Sequence, residues 1–337
     1  MTISTATAKA ARRDIAWQRF LQDYGVYIGV IALVVINTAQ NPNFLTYLNI
    51  RLQLVQVVPV AIVSLGLALV IGTRGIDISL GSVMAVSAAT VAAFLYLGPI
   101  PAMIAGLAAG ALLGAINGTL VARVGIQPIV ATLGMLVAGR GIALLIAEGK
   151  LTEIFDPFLG SLGSGAIPIP YVDGIDPLRP FAAGVPFVVI ITVVLAGVMA
   201  FVVGRTTFGR HILATGGNPT AARLSGVPVM RTLIAVYVVS ALLAATAGII
   251  QTARTGAADP SFLGNLIELS AISAVVVGGT PFSGGRVRIV GTLVGALFMQ
   301  LIETTLIRNN LSDSVARMVA AVIILTAVFM QREREGR

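Results

Sequence analysis

Apolar stretches close to the length of a membrane-spanning helix recur along the whole chain, separated by short polar breaks. About 20 residues of helix cross a bilayer core, and on that measure the pattern predicts ten spans, at 25–40, 52–72, 77–97, 100–122, 127–147, 185–204, 231–252, 265–280, 287–306 and 314–331. The expected fold is all-α and polytopic, one transmembrane domain over 25–331 between an interfacial segment at 1–24 and a tail at 332–337. An even number of spans returns both termini to one side.

Two breaks are too short and too glycine-rich to be ordinary loops. One holds Gly75, Asp77 and Ser79; the other, GGTPFSGGRVR, holds Gly278, Gly279, Gly284 and Gly285. Irregular backbone at membrane depth survives only where protein or water satisfies its polar groups. Each segment is therefore a tight turn at the surface or a broken helix beside a path. In the fourth span Gly106, Gly110, Gly114 and Gly118 make a four-residue ridge, the pattern that lets a second helix backbone approach closely. The loop at 149–184, with its Pro, Gly and acidic residues, is either a receiving surface for an outside partner or a solvated connector.

Composition agrees with this reading: 57% of residues are hydrophobic and 11% charged, against about 25% charged in a soluble domain. Of the 22 Lys and Arg residues, fifteen fall on the side of the N-terminus when the ten spans are threaded. The positive-inside rule then places both termini in the cytoplasm, and the net charge of +8 reflects topology rather than nucleic-acid binding.

The chain has no cysteine and one histidine, which argues against thiolate chemistry, a His-based metal site and a catalytic triad. No Gly-x-x-x-x-Gly-Lys-Ser/Thr sequence occurs, so any ATP and magnesium used must bind to another subunit and no enzyme activity is expected here.

The polar loop at 205–231 faces the cytoplasm in this threading. Asn218 is a good N-cap, Pro219 fits the first helical position, Gly226 suits the residue beyond the C-terminus, and Pro228 blocks continuation. A helix of about two turns is expected, with Ala221, Ala222 and Leu224 as its apolar face, Arg223 at the edge, and His211 in the loop before it. Capping alone leaves open whether it docks a partner or merely connects.

Arg140, Glu268 and Glu303 lie at or inside spans, where charge is expensive and is usually paired or wetted. Arg140 with either glutamate is a candidate buried pair. Together with Asn117 and Gln251, the three are also candidate path residues, a neutral, hydrogen-bonding lining suited to the hydroxyls of a sugar.

Four stretches, GTRGIDISLGSVMAV, INGTLVARVGIQPIVATLGMLVAGRG, FGRHILATGGNPTAARLSGV and AVVVGGTPFSGGRVRIVGTLVGAL, together resemble the permeases of bacterial monosaccharide ABC importers, the group handling ribose, xylose and galactofuranose. Within them, IQPIVATLGMLVAGRG, and with it ELSAISAVVVGG, is most similar to a galactofuranose permease. Arg74 departs from the Gly usual in that family's T-G-G-I-D-L-S. The resemblance implies an inner-membrane permease paired with an identical or related chain, two ATP-binding subunits and a periplasmic sugar-binding protein. It also implies a coupling helix over Asn218–Gly226, approached through Gly209 and Gly217, through which ATP-driven closure switches access. The same machinery carrying a nucleoside or a branched-chain amino acid is the alternative cargo reading, and a self-contained carrier or channel the alternative class.

Overall fold

The computed structural model describes residues 24–168 and 184–309, with 314, 315, 318, 319, 321 and 322. The expected segment at 1–24 (but for Tyr24), most of the tenth span, the tail, and residues 169–183 of the long loop lie outside the described residues. The spans appear as α1 (Tyr24–Gln40), α2 (Tyr47–Gly72), α3 (Leu80–Phe94, extended by a 3-10 turn Leu95–Leu97), α4 (Pro99–Thr119, extended by a π turn to Val124) and α5 (Pro128–Ile146). After a short α6 (Pro157–Ser164) come α7 (Phe187–Arg205), α8 (Thr207–Gly217), α9 (Pro219–Leu224), α10 (Val229–Thr255), α11 (Ile267–Val277) and α12 (Ile289–Arg308). Seven of these are long and apolar enough to cross a membrane. The chain is thus an all-α polytopic membrane protein.

The local rules are visible at the ends. Prolines open α4, α5, α6 and α9, where the missing N–H needs no partner. Gly125 and Gly256 end the π turn and α10 in the left-handed conformation that glycine adopts without steric cost.

Among the described residues, four two-residue strands form two antiparallel pairs. β1 (Thr152–Glu153) pairs with β4 (Ala257–Ala258), and β2 (Ala166–Ile167) with β3 (Val185–Pro186). The described part of the long loop is therefore not a solvated connector. Asp156 caps α6 by accepting from Leu159 N at 2.9 Å, Leu159 is buried, and Gly163 lies against the backbone of Ala253 near the end of α10.

α2 is the central strut, with Ile62–Ile71 buried. Lipid tails are as apolar as the helices, so packing and hydrogen bonds, not water exclusion, hold such a bundle together. The ridge on α4 serves that packing. A Cβ on Gly110 would meet Ala245 at 2.6 Å, one on Gly114 would meet Ala241 at 2.6 Å, and one on Gly118 would meet Ile234 at 2.8 Å. The antiparallel order of these contacts, rising on α4 and falling on α10, fixes the two helices side by side.

The bundle contains an inverted repetition that the span pattern conceals. α2 runs from the α6 end, where Arg51 donates to Ser164 O, to the α8–α9 end; α10 runs the other way, from α9 to Gly163. α3 packs against α10 and α4, as α11 packs against α2 and α12. Each long helix is followed by a break and then by a related sequence, Ile76-Asp77-Ile78-Ser79 in one half and Ile267-Glu268-Leu269-Ser270 in the other. The starts of α3 and α11 meet: a Cβ on Gly81 would lie 2.8 Å from Glu268 Oε2, and one on Gly264, in the segment before α11, would lie 2.9 Å from Gly81 Cα. The eighth expected span, 265–280, is consequently a half-length helix. α11 has 11 residues, about 16 Å at 1.5 Å per residue, against a bilayer core of about 30 Å.

Candidate functional site: the glycine-rich breaks and the capped loop helix

The first break, Thr73–Ser79, is irregular backbone enclosed by protein, with Gly75, Asp77 and Ser79 buried. Protein groups supply several of its hydrogen bonds, the route by which irregular backbone is tolerated at membrane depth. Ser79 donates to Asp77 Oδ1 from both its N–H (2.9 Å) and its hydroxyl (2.6 Å). Asn117 of α4 donates to Ser79 Oγ at 2.9 Å. Ser82 donates to Met135 O, and Thr132 to Ile76 O, which tie the start of α3 to α5. Asn117 Oδ1 and Tyr237 OH are buried without a hydrogen-bond partner beside this cluster, and Gly75 leaves room for that tyrosine hydroxyl. Apart from Arg74, which is exposed, the first break is therefore largely enclosed by the bundle.

Glu268, at the start of α11, is buried, and its Oε2 has no hydrogen-bond partner. The candidate buried ion pair of Arg140 with a glutamate is not made. Among the described residues Arg140 pairs with neither Glu268 nor Glu303; it donates to the carbonyls of Pro260 (2.7 Å) and Leu263 (2.9 Å). Those carbonyls belong to the irregular segment before α11, where no helix partner exists for them, and a guanidinium with five donors meets that need. Gln251 accepts from Arg254, three residues on in α10, while Glu303 lies on an exposed face of α12. The five candidate path residues are thus not one lining: Asn117 joins Asp77 and Ser79, Arg140 and Glu268 flank the contact of α3 with the segment before α11, and the other two stand elsewhere.

The loop at 205–231 is largely helical. α8 was not legible from the spans; Thr206 caps it by accepting from Gly209 N at 3.1 Å, and Gly209 lies against the last carbonyls of α7. His211 sits in α8, not in a loop. α9 has the expected ends. Asn218 Oδ1 accepts from Ala221 N at 3.0 Å, and Gly226 takes φ +83°. Gly226 N donates to Arg223 O and Val227 N to Ala222 O, the paired bonds of a Schellman motif. One residue of the expected apolar face is corrected: Ala222 is only 6% exposed, whereas Leu224 is 86% exposed. At helical spacing Ala222 turns back toward the bundle, leaving Ala221, Arg223 and Leu224 outside.

Three glycine-rich segments converge at the end of α8, just before α9. Gly285 N donates to Gly72 O at 2.9 Å, and Gly216 lies against both. Arg74, in the left-handed region at φ +66°, donates from Nε to Ser283 O at 2.8 Å and from Nη2 to Gly217 O. That conformation costs a non-glycine residue about 1–2 kcal/mol. Gly278 and Gly279 lie at the other end of the second break, where Gly278 meets Gly291 of α12.

A row of polar side chains joining α2 to α12 also escaped sequence reading. Thr304 donates to Gln53, Gln300 to Gln56, and Arg308 to Asn49. Spacing of three and four residues in Asn49, Gln53 and Gln56 is the signal that marks them as one helix face.

Residues 49–328 match the sequence profile of the family described as branched-chain amino acid transport system / permease component. The ribose import permease protein RbsC of Escherichia coli (strain K12) is 37% identical over 98% of this chain and 99% of its own length. RbsC of Bacillus subtilis (strain 168) is 37% identical over 99% of this chain and 100% of its own. The galactofuranose transporter permease protein YtfT of Escherichia coli (strain K12) is 38% identical over 82% of this chain and 77% of its own. No solved structure matches the chain.

Proposed function

We propose, from the fact that the chain belongs to this transport-system permease family, that it is the inner-membrane subunit of an ATP-driven importer and forms the path for a monosaccharide. Separate subunits bind ATP and magnesium and hydrolyse ATP, a periplasmic binding protein delivers the sugar, and a second permease chain, identical or related, completes the path. Ten spans in one domain, with both termini in the cytoplasm, complete the reading.

The observation that carries the coupling half of this reading is the geometry of α9. It is a two-turn helix closed at both ends by its own caps, with Leu224 almost fully exposed, and it follows directly on Gly216 and Gly217 at the end of α8, which contact both breaks. An apolar side chain held out on a rigid, arginine-flanked helix is suited to a partner's groove. A push on α9 reaches the meeting point of α3 and α11 through those segments.

The cargo half is supported by the sugar permeases that align with almost the whole chain, and by the excess of neutral amide and hydroxyl groups inside the bundle. The family's own description names a branched-chain amino acid instead, which is the second reading. Ligand screening of the cognate binding protein decides between them. Retention of ribose or galactofuranose, followed by uptake of that sugar into vesicles holding the assembled transporter, is the expected result; retention of leucine or of a nucleoside would overturn the sugar reading.

A further inference from the structure

We infer that Arg74 is a positioning residue that makes α9 and the two broken-helix segments move as one body, an inference that rests on reading α9 as the ATPase contact. Its guanidinium spans two carbonyls that belong to different moving parts. Ser283 O lies in the second break, and Gly217 O belongs to the residue immediately before Asn218, the N-cap of α9. Arg74 itself stands in the first break. One side chain therefore holds three segments that are 143 and 209 residues apart in sequence.

A planar guanidinium is the side chain suited to this task. Its donors are fixed in a fork, so the two accepting carbonyls are fixed relative to each other, which the point charge of a lysine cannot do. The backbone beneath it is built for the same contact. A Cβ on Gly284 would collide with the Arg74 side chain, and one on Gly216 would collide with Gly72 O and Gly285 N. Arg74 holds a left-handed backbone, unusual for a long side chain, and that conformation persists only where the surroundings over-determine it. Both bonds lie on an exposed residue. Water can replace them, so their loss leaves the bundle folded while freeing the segments from each other.

The test uses the whole transporter, with its ATPase subunits, in proteoliposomes, and reads the ratio of ATP hydrolysis with and without the binding protein. Arg74→Gly removes the fork and relieves the left-handed backbone; Arg74→Lys keeps the charge. The expected ratio falls at least tenfold in Arg74→Gly and less in Arg74→Lys. A ratio within twofold of wild type in Arg74→Gly overturns the inference.

A separate distance measurement holds if hydrolysis is too weak to compare. The chain has no cysteine, so Ser225→Cys and Ser283→Cys, both at exposed positions, accept a pair of spin labels. One narrow distance is expected with and without ATP, broadening once Arg74→Gly is added; a distance unaffected by Arg74→Gly overturns the inference. Leu224→Asp separates the two levels. If it leaves the ratio intact, the reading of α9 fails; if it abolishes the ratio while Arg74→Gly does not, only the role of Arg74 fails.

Discussion

Asn117 donates its amide to the hydroxyl of Ser79 at 2.9 Å, so that α4 holds the N-cap residue of α3, 38 positions earlier in the chain. Ser79 passes the constraint on to Asp77 through two further hydrogen bonds. Asp77→Ala strips the acceptor from two buried donors, each costing about 1–3 kcal/mol when left unpaired. The variant is expected to lose several degrees of unfolding temperature in detergent. Asp77→Asn keeps an acceptor oxygen in the same place and should lose less than half as much; equal losses would mean that charge, not hydrogen bonding, holds the break.

The glycine ridge of α4 makes a prediction with an internal control. A methyl group on Gly114 would meet Ala241 Cβ at 2.6 Å, Tyr237 O at 2.7 Å and Val238 Cα at 3.0 Å. Two of these are backbone atoms, which cannot rotate away. Gly114→Ala should therefore overpack the α4–α10 contact by about 1–3 kcal/mol. Gly134 of α5 has no atom within 4 Å of its would-be Cβ, and Gly134→Ala should be neutral or slightly stabilising. Thermal unfolding of the purified permease compares the two directly.

How legible this molecule is from its sequence depends on the range of the interaction. The caps of α9 were readable because Asn218, Pro219 and Gly226 act within a few residues of themselves. The ridge Gly106, Gly110, Gly114 and Gly118 was readable because its period is the period of a helix. Arg74 was visible only as a departure from a pattern, since both carbonyls that it binds come from distant segments. The half-length of α11 was hidden because hydropathy does not register that Leu266 turns left-handed at φ +59° two residues into 265–280, or that the helix already stops at Val277. The kinship of Ile76-Asp77-Ile78-Ser79 with Ile267-Glu268-Leu269-Ser270 lay in the sequence, and a search for inverted halves would have found it. The pairing of Arg140 with a glutamate was a charge argument, and it failed because unpaired carbonyls are an equally good partner for a guanidinium.

Arg140 follows from that correction. Its bonds to Pro260 O and Leu263 O secure the segment from which α11 starts. Hydrogen bonds from a charged group contribute about 1.5–3 kcal/mol each, less where water reaches the group. Arg140→Ala is expected to raise amide exchange across 259–266 by tenfold or more, while α3 and α4 stay protected. Glu268→Gln, which removes a charge but no partner of Arg140, should leave that exchange pattern within about twofold of wild type. A segment loosened equally by both variants would restore the ion pair as the organising contact.

The last prediction concerns α9, where stability and contact can be separated. Asn218→Ala removes the side-chain cap at Ala221 N, a loss of about 0.5–2 kcal/mol to a helix of only six residues. Gly226→Ala forces a methyl group onto a residue at φ +83°. Both act by unravelling the helix. Leu224→Asp instead leaves the caps intact and changes only the exposed tip, because Ala222, not Leu224, makes the inward contact. If α9 works by being rigid and by presenting that tip, all three lower transport by at least tenfold with normal membrane abundance. They differ in association with the ATPase subunits: Leu224→Asp should reduce co-purification most, and the cap variants should recover on cooling as the helix re-forms. Loss of transport in the cap variants together with full activity of Leu224→Asp would overturn the reading of α9 as the ATPase contact and leave the helix a structural role.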